Sequence, residues 1–398
     1  MRKGRRELSE GRTFVHQVIH RFALGDKSVC SRIASSHVSD RCVDCRPARR
    51  HGMARDRLRT TLAGFLLAAA VIAVLAWLVG IDDVVQSLQQ ADRSGVATVA
   101  ALIVGWVACW GLGMRAALRS YDAAVSPWTG LLLSAGAGFA NNVTPFGNAG
   151  GEPLTTLLVA ERTSVPYERG LAAMAAVDAV NIVSSVSFAL VGLTWLAVAG
   201  SLAGQLTVAA AAVAAAVVVG SGAAVGLWRR RRGITTRLID GLTQLLGWLA
   251  AVVPRLSAPD RATVAGRVAG FVDDLEHIAA DRRTLLAVLG YSVGGWLCQL
   301  LALWAAFAAI GTPISVVAAF VALPLASVAL ALPLPGGAGG IESALVAVLV
   351  GTPLTTVSPA TAVAGVVLFR GFAYWLPTTL GGLVFAESAV GWYRQSRR

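Results

Sequence analysis

The chain has 398 residues, 56% of them hydrophobic, with a mean hydropathy of +0.66 and only 14% charged residues. Soluble domains carry roughly 25% charged residues, so the composition excludes an ordinary globular enzyme and points to a polytopic membrane protein. The net charge is +12, but its placement argues against a nucleic-acid-binding face. Residues 1–52 supply +7, and the remainder clusters beside apolar runs, as a topology code does.

Residues 1–52 hold both lysines, four of the five histidines and three of the five cysteines, with no helical or strand period. Cys30, His37, Cys42 and Cys45 include one C-x2-C pair, but the second pair that a metal site needs is missing. The segment lacks the apolar stretch of a signal peptide. It reads as a disordered basic extension, or as upstream sequence not translated in the cell. Met53 then opens a basic flank and a full-length apolar run. Cys109 and Cys298 lie isolated in apolar runs and imply no disulfide framework.

A membrane helix needs about 20 apolar residues. Six stretches qualify as full spans: Thr61–Val79, Gly95–Gly113, Gly170–Ala199, Leu202–Trp228, Leu285–Ile310 and Ala360–Glu387. Two more, 128–162 and 314–352, are apolar but broken by Pro and Gly into arms too short or marginal for a crossing. Arginines fix the orientation. Arg55, Arg57 and Arg59 hold the N-terminal flank inside, Arg115 and Arg119 return the chain inside, and Arg394, Arg397 and Arg398 keep the C-terminal tail (391–398) there. Arg229–Arg232 place the loop 229–284 inside as well, and its apolar residues recur at helical spacing, as in amphipathic helices on the inner surface. His277 in that loop reads as solvated. By this count the two broken segments enter the membrane from opposite faces.

The breaks share a pattern. Residues 145–152 (PFGNAGGE) and 335–342 (PGGAGGIE) both read P-x-G-x-x-G-x-E. Pro145, Gly147, Gly150 and Glu152 thus correspond to Pro335, Gly337, Gly340 and Glu342. Asp178 follows Glu152 by 26 residues and Arg370 follows Glu342 by 28, each inside the next span. The expected fold is all-α: about six full spans plus two re-entrant helical hairpins in an inverted-topology repeat, about eight transmembrane elements within residues 53–390.

Proline ends one half-helix and glycine permits the tight turn. Each glutamate is then expected at the start of the next half-helix, where the helix dipole favours negative charge. If it pairs elsewhere, the free N–H groups there are suited to a phosphate. Asp178 and Arg370 fall about 12 and 15 Å into their spans, by a 1.5 Å rise per residue. A charge at that depth costs roughly 3 kcal/mol, so each needs a partner. One reading pairs Asp178 with Arg370 as structural glue. The other turns Arg370 toward an anionic headgroup, with Asp178, Glu152 and Glu342 on its cationic or hydroxyl part. Asn141, Asn142, Asn148 and Asn181 add hydrogen-bonding groups near the first break.

No G-x-x-x-x-G-K-[ST] loop occurs, so ATP hydrolysis by that route is excluded. No cofactor or metal is expected, nor a nucleic-acid partner.

The blocks NNVTPFGNAGGEPLTTLLVAERTSVPYERGLAAMAAVDAVNIV, LPLPGGAGGIESALVAVLVG and VVLFRGFAYWLPTTLGG resemble the flippase-like membrane region of lysylphosphatidylglycerol synthases. The resemblance covers roughly residues 57–388. It implies a role in handling lipids with anionic or polyprenyl-phosphate headgroups across the cytoplasmic membrane. Members that make aminoacyl lipids carry a soluble transferase domain after the membrane part, and its absence here means that synthase activity is not expected. Two basic features of the family are missing: Pro153-Leu154-Thr155-Thr156 follow Glu152, and Met174-Ala175 stand where an E-R pair often precedes the aspartate. The expectation is a lipid flippase with a midplane substrate site built from Asn142, Pro145, Gly147, Gly150, Glu152, Asp178, Asn181, Pro335, Gly337, Gly340, Glu342 and Arg370. The alternative is a non-transporting subunit that anchors or regulates a lipid-modifying or glycosylating enzyme.

Overall fold

The computed structural model describes residues 81–144, 148–198, most of 236–247, 260–332, 334–351 and 355–396. The expected spans Thr61–Val79 and Leu202–Trp228, the extension 1–52, the arginines 229–232, and Pro145 and Gly147 lie outside the described residues. All regular structure among the described residues is helical. A short helix α1 (Ile81–Gln89) precedes α2 (Arg93–Arg119), α3 (Pro127–Val143), α4 (Asn148–Arg162) and α5 (Tyr167–Val198). After α6 (Arg261–Ala280) come α7 (Arg282–Ala309), α8 (Val316–Ser327), α9 (Gly340–Gly351) and α10 (Pro359–Ser396). Two 3-10 turns, Val328–Ala331 and Pro335–Gly337, join α8 to α9.

Helix starts follow from capping residues. Asp92 accepts from the Gly95 N–H at 2.9 Å, Ser126 from Thr129 at 3.0 Å and Ser315 from Ala318 at 3.1 Å. Each side chain thereby satisfies a backbone donor that the first turn leaves open. Four helices are long and apolar enough to cross a membrane: α2, residues 167–195 of α5, α7, and residues 359–388 of α10. These are four of the six expected full spans. The two broken stretches form helices of 17 and 15 residues (α3, α4) and of 12 and 12 residues (α8, α9). At 1.5 Å per residue all four arms fall short of about 30 Å of hydrocarbon.

Lipid removes the hydrophobic drive between spans, so close packing over small residues must hold them. The α2–α7 pair shows this along its whole length. A Cβ on Gly95 would lie 2.6 Å from Ala309 Cβ, one on Gly105 would meet Cys298, and one on Gly113 would meet Tyr291. Low numbers on α2 therefore face high numbers on α7, and the two helices run antiparallel. The Asp92 N–H donates to the Ala309 carbonyl at 2.8 Å and ties the two ends together. In the same way α3 packs antiparallel on α10: Gly381 abuts Ala135, Gly138 abuts Pro377, and Asn142 meets Tyr374. Helix α8 packs on α5, where Gly192 abuts Val321 and the Phe188 and Phe320 rings meet at 5.4 Å.

The loop before α7 supplies the amphipathic helix α6. It buries Val264 and Val268 with Ile239, and buries Ile278 against the cluster that holds Met114, Leu118 and Val288. Tyr121 receives α6 through its hydroxyl, which donates to the Asp274 carbonyl at 3.1 Å. The reading of His277 as solvated agrees with its exposure, and the structure adds two contacts. Its ring stacks on Tyr121 and its Nε2 lies 3.1 Å from the Ser120 carbonyl. Burial in this cluster raises the Asp274 carboxyl above the usual range, and Arg169 opposes the shift.

Candidate functional site: two buried junctions

The second junction is built on glycine. Gly336, Gly337 and Gly339 all take positive φ, between +57° and +81°, so the chain turns back sharply before α9 begins at Gly340. A side chain at Gly336 is excluded twice, by φ and by space, since its Cβ would lie 2.4 Å from Asn142 Oδ1. Pro335 and Gly337 are buried in this turn and Gly340 is half-buried. Glu342 sits in the first turn of α9, as expected, and its Oε2 accepts from the Gly339 N–H at 2.7 Å. Its other oxygen accepts from Arg370 Nε at 2.8 Å. An Arg370 Nη reaches the Gly336 carbonyl at 3.2 Å, and the guanidinium lies 5.5 Å from the Tyr374 ring centroid. The side chains are 13% and 9% exposed, so this is an almost fully enclosed ion pair with hydrogen bonds on both members.

Two expectations are thereby corrected. Arg370 does not pair with Asp178; its partner is Glu342, which the hairpin folds back to meet it within the same half of the chain. And the Gly339 N–H at the start of α9 is not left for a phosphate, because Glu342 itself takes it.

The first junction has the same plan with different charges. Helix α4 starts at Asn148, so Glu152 lies beyond its first turn rather than at its start, contrary to expectation. Gly150 and Gly151 consequently lie within α4, and Gly151 is needed because a Cβ there would fall 1.9 Å from Asn141 Oδ1 and 2.6 Å from the Asn141 nitrogen. The carboxyls of Glu152 and Asp178, both half-buried, lie within hydrogen-bonding reach, with Asn181 beside Asp178. Asn181 Oδ1 accepts from the Ser292 hydroxyl at 2.6 Å, and Ser292 lies 2.9 Å from the Ser184 hydroxyl. A buried polar chain thus links α5 to α7.

The junctions meet at consecutive asparagines. Asn141 faces Gly151 of the first hairpin, while Asn142 faces Gly336 of the second. Asn142 Nδ2 donates to the Tyr374 carbonyl at 3.1 Å and to Thr378 Oγ1 at 2.7 Å; the Tyr374 hydroxyl returns a bond to the Asn142 carbonyl at 3.0 Å. Sequence reasoning singled out Asn142 but missed Tyr374 and Thr378, which no spacing connects to it. At the far end of α4, Arg162 bonds to Glu387 at 2.9 Å and holds α4 on α10.

Spans packed on glycine, two interrupted apolar segments and an enclosed ion pair at a helix break define a multi-pass helical membrane protein. The chain belongs to the family described as the lysylphosphatidylglycerol synthase TM region, whose profile matches residues 61–381. It is similar to a UPF0104 membrane protein of Methanothermobacter thermautotrophicus, 25% identical over 82% of this chain and 93% of that protein. A second UPF0104 membrane protein of the same organism is 21% identical over 79% of this chain and 92% of its own length. The protein named glycosyltransferase AglD of Haloferax volcanii is 29% identical over 78% of this chain, which spans only 51% of AglD.

Proposed function

We propose that this protein is a lipid transporter without its own ATPase, moving an anionic or polyprenyl-phosphate-linked lipid across the cytoplasmic membrane. In this reading α2–α5 and α7–α10 are inverted halves, each a span, a re-entrant hairpin and a second span. The expected spans at 61–79 and 202–228 bring the membrane elements to eight, with both termini inside by the arginine flanks. Two packing relations support the inversion. The first spans, α2 and α7, run antiparallel, and the first arm of each hairpin packs on the last span of the other half, α3 on α10 and α8 on α5.

The observation that carries the transport reading is the meeting of the two broken junctions, Asn142 against Gly336, with the Arg370–Glu342 pair beside them. Irregular backbone at membrane depth is tolerated where protein or a wet cavity satisfies it, and transporters place their substrate sites there. An anionic headgroup would compete with Glu342 for the guanidinium, whose fork matches phosphate oxygens two at a time. Glu342, once displaced, keeps the Gly339 N–H as a partner, which lowers the cost of the exchange. Rocking of the hairpins would then expose the site to one face and then the other. No step forms or breaks a covalent bond.

The test is a reconstituted assay that follows fluorescent anionic phospholipid and polyprenyl-phosphate analogues between leaflets. Movement by the native chain and none by Arg370→Ala is the expected result. Movement at equal rates in both would sink the site assignment, and no movement by folded native protein would sink transport. The second reading, a membrane subunit serving a lipid-linked glycosylation enzyme, draws on the half of AglD that this chain matches. Stoichiometric co-purification of such an enzyme with an inactive native chain would favour it.

A further inference from the structure

The α2–α7 seam carries a second repeated motif. Gly105-Trp-Val-Ala-Cys109 on α2 and Gly294-Gly-Trp-Leu-Cys298 on α7 both read G-x-x-x-C. The helices run antiparallel, so the motifs meet head to tail. A Cβ on Gly105 would lie 3.2 Å from Cys298 Sγ, and one on Gly294 would lie 3.3 Å from Cys109 Sγ. Each sulfur thus fills the notch left by the glycine of the facing helix. Because each cysteine is one turn from its own helix's glycine, the two sulfurs lie on the same seam, one turn apart on facing helices. Small residues on both sides let the backbones approach, as a bridge between two helices requires. Cysteine often serves only as a small apolar filler, and one alone would mean no more than that. Two on one seam, each seated against the facing helix's glycine in matching motifs, have chemistry open to them that one lacks.

We propose that Cys109 and Cys298 are a disulfide-forming pair, closed by a hydroperoxide across the first spans of the two halves. One sulfur, giving up its proton, attacks a peroxide oxygen; the O–O bond breaks and the proton leaves with the departing oxygen as water. The resulting sulfenic acid is attacked by the second sulfur, the S–S bond forms, and its hydroxyl leaves with the second thiol proton as another water. With hydrogen peroxide the balance is two thiols and one peroxide to one disulfide and two waters. Both thiols are half-buried within the protein, and an uncharged oxidant small enough to cross the membrane would reach them there. This inference rests on the packing of α2 on α7 and is independent of the transport reading.

The experiment uses the full chain with Cys30→Ser, Cys42→Ser and Cys45→Ser, in native vesicles treated with hydrogen peroxide. Remaining thiols are then alkylated with N-ethylmaleimide in denaturant and the peptides mapped. Loss of both thiols together is expected, with the Cys109 and Cys298 peptides joined within one chain and released by reductant. Cys109→Ala removes the joined peptide and leaves Cys298 without an intramolecular partner. Any of three results overturns the proposal: both thiols remaining fully alkylatable after free glutathione in the same suspension is oxidised, separate sulfinic or sulfonic acids, or linkage only between two chains. The decisive result comes from an unaltered seam, so it does not depend on the single variant folding.

Discussion

The two hairpin junctions place a glutamate after a glycine-rich break and bring it against a charge-bearing position on the following span, yet they differ in sign. In the second half Glu342 meets Arg370, and a cation and an anion neutralise each other in an enclosed site. In the first half Glu152 meets Asp178, and two acids face each other with Asn181 beside them. Two junctions of similar sequence therefore differ: one is neutralised by its own ion pair, and the other brings two acids together. In the proposed transport reading, a headgroup's anionic part goes to Arg370 and its hydroxyl or cationic part to the two acids.

The largest effect should come from breaking the neutralised junction. Arg370→Ala strands Glu342 at a side-chain exposure of 9%, and truncating one member of a buried pair costs about 3–5 kcal/mol. Denaturation in detergent would measure it, and adding Glu342→Gln should recover most of the stability but none of the lipid movement. A loss below about 1 kcal/mol, the range of exposed pairs, would mean the pair is wetter than its enclosure implies. Next come the glycines. Gly151→Ala and Gly336→Ala should each cost about 1–3 kcal/mol, the range for forcing atoms into packed space. Gly151→Ala drives its Cβ into the Asn141 backbone, whereas Gly336→Ala adds a left-handed φ of +57° to its clash with the Asn142 and Tyr374 side chains, so neither should be tolerated better than the other.

Asn142→Ala removes the bonds to Tyr374 and Thr378 and should cost about 1–2 kcal/mol. Equal stability would show that the junctions close without it. Asp178→Asn sharpens the contrast from the other side. The amide keeps the side chain's shape and sets a donor beside Glu152, so stability should change by less than about 1 kcal/mol while lipid movement falls. A severe loss of stability would mean that the carboxyl itself, rather than its hydrogen bond, holds the first junction.

Much of this was legible in the sequence, and the exceptions have physical causes. Spans announce themselves by length and charge, so α2, α5, α7 and α10 fall where composition puts them. The helix breaks were legible because proline and glycine act locally. Pairing was not. Arg370 and Asp178 have opposite charges, similar depth and equivalent positions, which made them natural partners on paper; the return of the hairpin, rather than charge sign, decides that Arg370 meets Glu342. Nor does the motif reveal that α4 starts before Gly150, because Gly151 serves the close approach of Asn141 rather than the turn. The matched G-x-x-x-C motifs were the readable signal that reasoning passed over, since each cysteine looked solitary until the helices were paired.

The Asn142–Tyr374 clasp bears on how the protein is made. Its two ends are 232 residues apart, one at the tip of the first hairpin and the other in the last helix. At about 5–20 residues per second, roughly 10–50 s of synthesis separates them. In the re-entrant arrangement proposed above, the Asn142 amide waits through that interval at a hairpin tip with its eventual partners not yet translated. The nascent first half must be sheltered meanwhile, by water held at the tip or by the insertion machinery. Truncation before Tyr374 should therefore mark the first hairpin for degradation, even though every residue of that hairpin is present.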